Sequence, residues 1–341
     1  MTTEATTVPV IDLAVVLRDD APESALAELR AAIEQIGIVQ VVNHDVPPDL
    51  IADFHRRIGR ILDLPRAEKA ALASPTAHPY RGWRQWPDDF GRLELERFSI
   101  GQFDNADDAR AAGVPDRYAD VFAHANVWPP QEPGLREVAF AYQEALHGLA
   151  LRVFGLYARV LGVPGSTFPI GERQYTTFVV NNYPTWTYDD SAGDDKLLLL
   201  EHADNSVLTV LHQEGDYAGL QAQLPDGSWS PVPIIPGALQ VFTGSLFTRW
   251  TNGRLSPGRH RVAAGGTVTR RSSAVFVYPS LDTVVEPLSE FIGADGPEFE
   301  PYDVGGEAQR AVEDYLKVFG RPEQVAAWRE GRPYVAAVNE S

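Results

Sequence analysis

The 341-residue chain contains no cysteine. This absence excludes disulfide bonds, iron–sulfur clusters and thiolate-rich zinc sites. Histidine and carboxylate side chains are then the strong metal ligands that the sequence can offer. At this length the chain can bury a large core, either as one elaborated domain or as two packed lobes.

Positive charge and long apolar runs are also scarce. The chain has 29 Lys and Arg against 47 Asp and Glu, a formal net charge of −18. That charge opposes binding to nucleic acids and to anionic membranes. No apolar run approaches the length of a membrane span, and residues 1–16 lack a basic segment followed by a long apolar one. We therefore expect a cytoplasmic protein with a small-molecule partner; composition specifies no oligomeric state.

The first half of the chain is predicted to be rich in helices. Apolar residues at helical spacing indicate helices over Pro22–Ile36, from the turn at Pro47 to about Leu64, and from about Leu135 to Leu161. Between the last two, Ala77–Pro130 is rich in tryptophan, proline and charge. We interpret it as an irregular connection that covers a pocket.

From Arg173 onward the pattern changes to short β-rich runs separated by Pro-Gly, Pro-Asp-Gly and Asn-Gly turns. The predicted strands are Gln174–Val180, Lys196–Leu200, Val207–Leu211, Gly219–Leu224, Ala238–Phe242 and Ala274–Tyr278. Many short strands at this spacing indicate a sandwich or jelly roll, which brings distant strands around one cavity.

These patterns predict an α+β protein with three regions in one catalytic unit. Residues 1–172 form a helix-rich region packed on the core, and residues 173–285 form the jelly-roll core. Residues 286–341 form a helical tail or lid, with helices at Glu307–Phe319 and Pro322–Arg329.

The most informative feature is a candidate metal site formed by His202, Asp204 and His260. Residues two apart in a strand point to the same face, so His202 and Asp204 can chelate one ion together. Two imidazoles and one carboxylate leave several coordination positions open. This is the ligand set of non-haem Fe(II) oxygenases.

A His-x-acid pair alone is weak evidence. With eight histidines in the chain, roughly one such pair is expected by chance. His212 and Glu214 form a second pair, but Gly215-Asp216 follows at once. We therefore interpret His212–Glu214 as a turn after a strand and favour the pair that follows the strand ending at Leu200.

Several ordered motifs add weight to the first pair. They are VPVID and IGIVQVVNHDVP near the start, NNYP and HADNSVLTVLHQEGDYAGLQ in the middle, and TNGRLSPGRHRV and RRSSAVFVYPS later. Together they resemble the isopenicillin N synthase-like family of Fe(II)/2-oxoglutarate-dependent oxygenases over most of the chain. The resemblance implies a double-stranded β-helix (jelly-roll, cupin-like) core and assigns the metal ligands to His202, Asp204 and His260.

The resemblance also implies a pocket for 2-oxoglutarate. The family's Arg-x-Ser signature falls in the Arg-Arg-Ser-Ser run from Arg270, where two registers compete. Reading backward from Phe276 and Pro279, as the family's aromatic and proline positions, selects Arg270 with Ser272 over Arg271 with Ser273. Arg270, Ser272 and Ala274 would then share the cavity face, where a guanidinium could bind a carboxylate. The NNYP motif places Asn181 and Tyr183 beside the co-substrate.

The implied reaction uses Fe(II), O2 and 2-oxoglutarate, releases succinate and CO2, and hydroxylates, desaturates or cyclises a small metabolite. Specialised metabolism such as antibiotic biosynthesis is the expected setting. Three alternatives stay open: an Fe(II) oxidase of the same family that uses no 2-oxoglutarate, a hydrolase that activates a metal-bound water, and a metal-free binding module. For the pocket mouth, the residues that we predict are Arg81, Trp83, Arg84, Trp86 and Trp250.

Overall fold

The computed structural model describes residues 7–74, 80–87, 93–118, 125–183, 197–215, 218–263 and 269–310, with the backbone alone at 85–87 and 93–94. Its helices are α1 (Leu13–Val16), α2 (Glu23–Gln35), α3 (Pro48–Leu62), α4 (Arg66–Ala70), α5 (Ala106–Ala111), α6 (Leu135–Leu161) and α7 (Ser245–Trp250). None of these described helices is long and apolar enough to cross a membrane.

Local sequence explains where the main helices begin and end. Pro48 occupies the first turn of α3, where its missing N–H is tolerated, and Asp49 complements the helix dipole there. Helix α6 ends at Gly162, whose φ of 78° is a left-handed conformation that favours glycine. Residues 304–310 are helical. The rest of the predicted tail helices lies outside the described residues.

Fourteen strands are present in the described residues: β1 (Val10–Asp12), β2 (Ile38–Val42), β3 (Gly82–Pro87), β4 (Leu93–Gly101), β5 (Tyr175–Tyr183), β6 (Leu197–His202), β7 (Leu208–Glu214), β8 (Leu220–Gln223), β9 (Trp229–Pro231), β10 (Leu239–Thr243), β11 (His260–Ala263), β12 (Arg270–Tyr278), β13 (Val284–Val285) and β14 (Tyr302–Asp303). A larger sheet has the order β1-β2-β10-β7-β12-β5-β4-β3, and a smaller sheet has the order β6-β11-β8-β9. They form the predicted jelly-roll core, with helices on the outer face of the larger sheet.

Strand alternation divides the larger sheet into two faces. One face of β12 carries Ala274, which packs with Val179, Leu211 and Phe242 in the apolar cluster that fills the barrel. On the opposite face, Val275 belongs to the main core beneath the helices. A residue's parity along β5, β7 or β12 therefore decides whether it faces the barrel interior or the helices.

The expectation of an irregular connection over Ala77–Pro130 is wrong in part. Strands β3 and β4 lie in this region, pair antiparallel with each other, and extend the larger sheet through β5. Helix α5 follows them, with Asn105 accepting a hydrogen bond from the Asp108 N–H as its N-cap. The region that was expected to cover the pocket thus supplies part of its wall.

The expectation of a turn at His212–Glu214 is also wrong. Strand β7 continues to Glu214 because it pairs with β12 as far as Arg271. His212 therefore points to the helix side of the sheet, opposite Ser273, and Gln213 points into the barrel, opposite Ser272.

Candidate metal centre and co-substrate pocket

The two candidate histidine ligands lie on neighbouring strands of the smaller sheet. β6 ends at His202, β11 begins at His260, and the two residues are directly paired in the antiparallel ladder. Their ring centroids are 4.3 Å apart. The jelly roll therefore brings together two ligands that are far apart in the sequence.

Both histidine rings are oriented by the main chain two residues upstream. His202 Nδ1 donates to the Leu200 carbonyl, and His260 Nδ1 donates to the Gly258 carbonyl, each over 2.8 Å. With the proton held on Nδ1, the Nε2 lone pair of each ring is left to bind a metal. Burial lowers the pKa of His260, although Asp204 partly offsets this effect, so the imidazole is kept neutral as a ligand must be.

Asp204 completes the group from a turn between β6 and β7. Its Oδ1 atom lies 3.7 Å from His202 Nε2 and 3.9 Å from His260 Nε2. One ligand atom from each of the three residues lies within 4.8 Å of the others, and the described residues contain no second group of this kind. Such a set of two imidazoles and one carboxylate suits Fe(II) with open positions.

Backbone N–H groups at the start of α7 bind the segment that carries Asp204. Ser245 N donates to the Asp204 carbonyl over 2.8 Å, and Leu246 N donates to the Ser206 carbonyl over 3.1 Å. Gly244 allows this approach, because a Cβ there would lie 1.9 Å from the Ser206 carbonyl oxygen. The helix thus fixes the carboxylate through backbone atoms.

A close glycine contact fixes the start of β11. A Cβ on Gly258 would lie 2.6 Å from the Gly37 carbonyl oxygen, and one on Gly37 would lie 2.2 Å from the Ser256 carbonyl oxygen. Gly258 N also donates to the Thr243 carbonyl over 2.8 Å. These contacts tie the segment before His260 to the end of β10 and to the α2–β2 junction.

Arg270 faces the barrel interior and is 1% exposed. Its Nη2 atom donates to Gln213 Oε1 over 2.9 Å, and its guanidinium carbon lies 5.0 Å from the centre of the Tyr183 ring. Arg270 Nε and Nη1 and Gln213 Nε2 are buried without hydrogen-bond partners among the described residues. A buried guanidinium with two such N–H groups fits a carboxylate, which accepts two parallel hydrogen bonds.

Arg271 points away from this cavity. It donates to Asn182 Oδ1 over 2.9 Å and pairs with Asp63 at the end of α3, on the helix side of the sheet. The geometry therefore favours the register with Arg270 and Ser272 on the cavity face over the register with Arg271 and Ser273.

Asn181 and Tyr183 lie on the cavity face, opposite Ser272 and Arg270 respectively. Burial raises the pKa of Tyr183, and the charges of Arg270 and Arg97 only partly offset this effect. The Tyr183 hydroxyl therefore stays protonated. Sequence reasoning missed Gln213, which binds Arg270 directly. Its position could have been predicted if His212–Glu214 had been assigned to a strand rather than to a turn. Alternation along that strand would then have put Gln213 on the face opposite to His212 and Glu214.

The residues predicted at the pocket mouth lie in different places. Trp250 is fully buried among Phe154, Phe168 and Phe247, so its placement at the mouth is wrong. Trp83 is also wrong: it is 7% exposed in the main core, with Lys69 Nζ 5.9 Å from its ring centre.

Arg81 is buried rather than exposed at a mouth, since it packs over Gly101 and donates to the Tyr80 carbonyl over 2.7 Å. Arg84 lies in β3 opposite Arg97 and is half-buried. Trp86 lies in the same strand opposite Leu95, and its side chain lies outside the described residues.

Comparison with known proteins identifies the family. Residues 8–131 match the model of the N-terminal region of the non-haem dioxygenase in morphine synthesis, and residues 175–279 match that of the 2OG-Fe(II) oxygenase superfamily. The chain is 31% identical to 2-oxoglutarate-dependent dioxygenase 19 of Oryza sativa subsp. japonica, over 86% of this chain and 82% of that protein.

Two further relatives are informative. Validamycin A dioxygenase of Streptomyces hygroscopicus subsp. limoneus is 28% identical over 85% of this chain and 80% of its own. The crystal structure of the rice dioxygenase for auxin oxidation superposes with a TM-score of 0.70 at 26% identity, covering 96% of this chain and 100% of that one. The chain thus belongs to the 2OG-Fe(II) oxygenase superfamily and is an oxidoreductase that depends on Fe(II), 2-oxoglutarate and O2.

Proposed function

We propose that the protein hydroxylates, desaturates or cyclises a small metabolite at an iron held by His202, Asp204 and His260. Arg270, Ser272, Asn181, Tyr183 and Gln213 form the pocket for 2-oxoglutarate in this proposal. The observation that carries it is a buried arginine, with two N–H groups lacking partners among the described residues, on the interior face of the barrel that holds the metal group.

When bound, Fe(II) with O2 and 2-oxoglutarate supplies an oxidant that removes hydrogen from a C–H bond, with release of succinate and CO2. The residues of the chain position the co-substrate and the substrate. Arg270 and Ser272 hold the far carboxylate of the co-substrate, and Gln213 keeps the guanidinium in place. The barrel wall then decides which carbon of the substrate faces the metal.

The named relatives support a role in small-molecule metabolism. They include a validamycin A dioxygenase, a dioxygenase for auxin oxidation and a probable flavonol synthase. Each name refers to a small metabolite, and the validamycin A dioxygenase comes from a Streptomyces species. We therefore assign this chain to specialised metabolism, with residues 1–172, 173–285 and 286–341 acting as one catalytic unit.

Anaerobic titration with Fe(II) and 2-oxoglutarate tests the site directly, because the chelate gives a visible charge-transfer band. We expect the band in the wild type. Arg270→Ala should raise the Kd for 2-oxoglutarate by about 100-fold or more, since it removes charged hydrogen bonds worth about 1.5–3 kcal/mol each.

Arg271→Ala is the matched control, since it removes the same charge from the neighbouring position on the opposite face. Its Kd for 2-oxoglutarate should stay within about threefold of the wild-type value, because its guanidinium binds Asn182 and Asp63 rather than the cavity. A wild type without the band would reject the site. Loss of binding in Arg271→Ala alone would reject the register.

A further inference from the structure

Gln213 is a buried side chain with one bonded and one unbonded polar atom. It is 4% exposed, and β7 puts it on the barrel interior, directly opposite Ser272 of β12. Its Oε1 atom accepts the hydrogen bond from Arg270 Nη2, whereas its Nε2 atom is buried without a hydrogen-bond partner among the described residues. One half of the carboxamide is therefore satisfied and the other half is not.

The chemistry of Arg270 determines which half of the carboxamide is bonded. A guanidinium has N–H donors and no acceptor, so only the carbonyl oxygen of Gln213 can bind it. The amide nitrogen of Gln213 is then left with two N–H donors in the barrel interior. Acceptors on the helix side of β7, where His212 and Glu214 lie, are out of its reach, because side chains alternate along the strand. A buried donor without an acceptor destabilises the protein, so we expect a ligand to supply one.

The unbonded donor of Gln213 belongs to the same group of atoms as those of Arg270. Arg270 Nε and Nη1 also lack partners among the described residues, and the two side chains are in direct contact. An ionised carboxylate has two oxygens with about four lone-pair sites and no donor. It can therefore accept hydrogen bonds from a guanidinium and from a neighbouring amide at the same time. Since Gln213 is neutral, it adds a donor without cancelling the charge of Arg270.

A second buried glutamine offers a competing explanation. Gln240 of β10 lies opposite Leu211, on the same interior face as Gln213. Its Nε2 atom donates to Gln40 Oε1 over 3.1 Å, and its Oε1 atom is buried without a partner among the described residues. A water molecule that joined Gln240 Oε1 to Gln213 Nε2 would satisfy both atoms. It would leave Arg270 Nε and Nη1 unsatisfied, whereas one carboxylate serves the donors of both side chains.

We propose that Gln213 binds the far carboxylate of 2-oxoglutarate directly through Nε2, in addition to holding Arg270 through Oε1. The inference rests on the proposed function and makes Gln213 a specificity-determining residue of that site. Donors on two adjacent strands then recognise the far group of the co-substrate. A 2-oxo acid that lacks this group leaves all of these buried donors unsatisfied, which is how a polar site rejects an analogue.

The test compares 2-oxoglutarate with 2-oxopentanoate, which has the same carbon chain and the same 2-oxo acid group but a methyl group in place of the far carboxylate. Anaerobic titration of the Fe(II) enzyme with each acid gives its Kd from the charge-transfer band. The ratio of the two Kd values measures selectivity for the far carboxylate. Gln213→Met should lower this selectivity by about tenfold or more, because a hydrogen bond to a charged group is lost. The Kd for 2-oxopentanoate should stay within about threefold of the wild-type value.

A second background separates direct contact from an effect through Arg270. In Arg270→Ala there is no guanidinium for Gln213 to hold, so adding Gln213→Met should lower the remaining selectivity by about a further tenfold only if Gln213 donates directly. Arg270→Met is a second background for the same comparison. Gln240→Met is the matched control, since it changes an equally buried glutamine on the interior face, and its selectivity should stay within about threefold of wild type. The 2-oxopentanoate band also reports that each variant is folded and holds iron.

The outcomes separate the two proposals. If the double variant keeps the selectivity of Arg270→Ala, or if Gln213→Met weakens both acids equally, Gln213 does not bind the carboxylate and the oxygenase assignment stands. If Gln240→Met lowers selectivity as much as Gln213→Met, the direct contact is likewise wrong. A wild type that forms no band with Fe(II) and 2-oxoglutarate would overturn the proposed function itself.

Discussion

The barrel interior holds His202, Asp204 and His260, whereas the helix side of β7 holds His212 and Glu214 against His55 of α3. Each cluster has two histidines and one carboxylate, and each contains a His-x-acid pair in the sequence. Within the described residues, only the first brings its ligand atoms together in the manner of a metal site.

The clusters differ in the use of their ring nitrogens. In the second, His55 Nδ1 lies 3.1 Å from Glu214 Oε2, while His55 Nε2 lies 2.9 Å from Ser273 Oγ and 3.0 Å from His212 Nδ1. Side chains thus bind both nitrogens of His55. In the first, each Nδ1 binds a backbone carbonyl, and both Nε2 atoms face Asp204. The two clusters have the same residue types and the same sequence spacing. What distinguishes the metal site is that the free Nε2 lone pairs of its two histidines point toward the carboxylate.

The largest expected effect is the loss of iron binding in Asp204→Ala. Loss of one of three protein ligands should weaken Fe(II) binding by more than about 100-fold, since removing even outer contacts of a metal site costs 10- to 100-fold. Glu214→Ala, the equivalent change in the other cluster, should keep iron affinity within about threefold of wild type. Iron titration monitored by the 2-oxoglutarate band gives the iron affinity of each variant. If both variants lost the same affinity, the proposal that only the first cluster binds metal would be wrong.

A smaller effect separates the neighbours Ser272 and Ser273, which lie on opposite faces of β12. Ser272→Ala should raise the Kd for 2-oxoglutarate about tenfold, the value of one hydrogen bond, with little change in stability. Ser273→Ala should lower the free energy of unfolding by about 1–3 kcal/mol, because Tyr142 OH, 3.2 Å from Ser273 Oγ, loses that bond within the core. Co-substrate titration gives the Kd of each variant, and denaturant unfolding gives its stability. If Ser273→Ala instead weakened 2-oxoglutarate binding and Ser272→Ala instead lowered stability, the assignment of the two faces of β12 would be wrong.

The smallest effect is a pH dependence from the helix-side cluster. Burial, with help from the neighbouring His55 and opposed by Glu214, lowers the pKa of His212 from 6.5 to about 3. His44 also acts to lower it. Between these pH values the unfolded chain binds more protons at this position, so stability falls as pH falls below about 6.5.

This contribution has a slope of at most about 1.4 kcal/mol per pH unit. Denaturant unfolding at pH 7 and pH 5 should therefore show a smaller loss for His212→Gln than for wild type. Equal losses in both proteins would mean that His212 is not held neutral by its surroundings.

Part of the site was predictable because it depends on strand alternation, which is local. Arg270 and Ser272 lie two residues apart in β12, so alternation put both on one face once the family resemblance had selected that register. Asp204 lies in the turn after β6, so the alternation expected for His202 and Asp204 does not explain how the carboxylate reaches the metal group. Gln213 was missed because β7 extends to Glu214 only through its ladder with β12. That ladder is a contact between segments distant in sequence.

The same reason explains the errors in the fold. β3 and β4 are rich in tryptophan and charge, and their strand conformation depends on pairing with each other and with β5. Trp250 belongs to the core because α7 packs on Phe154 of α6. No local pattern reports these contacts, whereas the bounds of α6, with its own apolar periodicity and a terminal glycine, were predicted correctly.

The carbonyl groups that orient His202 and His260 place unequal evolutionary constraints on the two sides of one site. Leu200 offers its carbonyl to His202 while its side chain is 65% exposed, so many residue types at this position would keep the ring in place. Gly258 offers the same atom to His260, but any side chain there would collide with the backbone of Gly37. We therefore expect substitutions to be tolerated at position 200, beside His202, and not at position 258, beside His260.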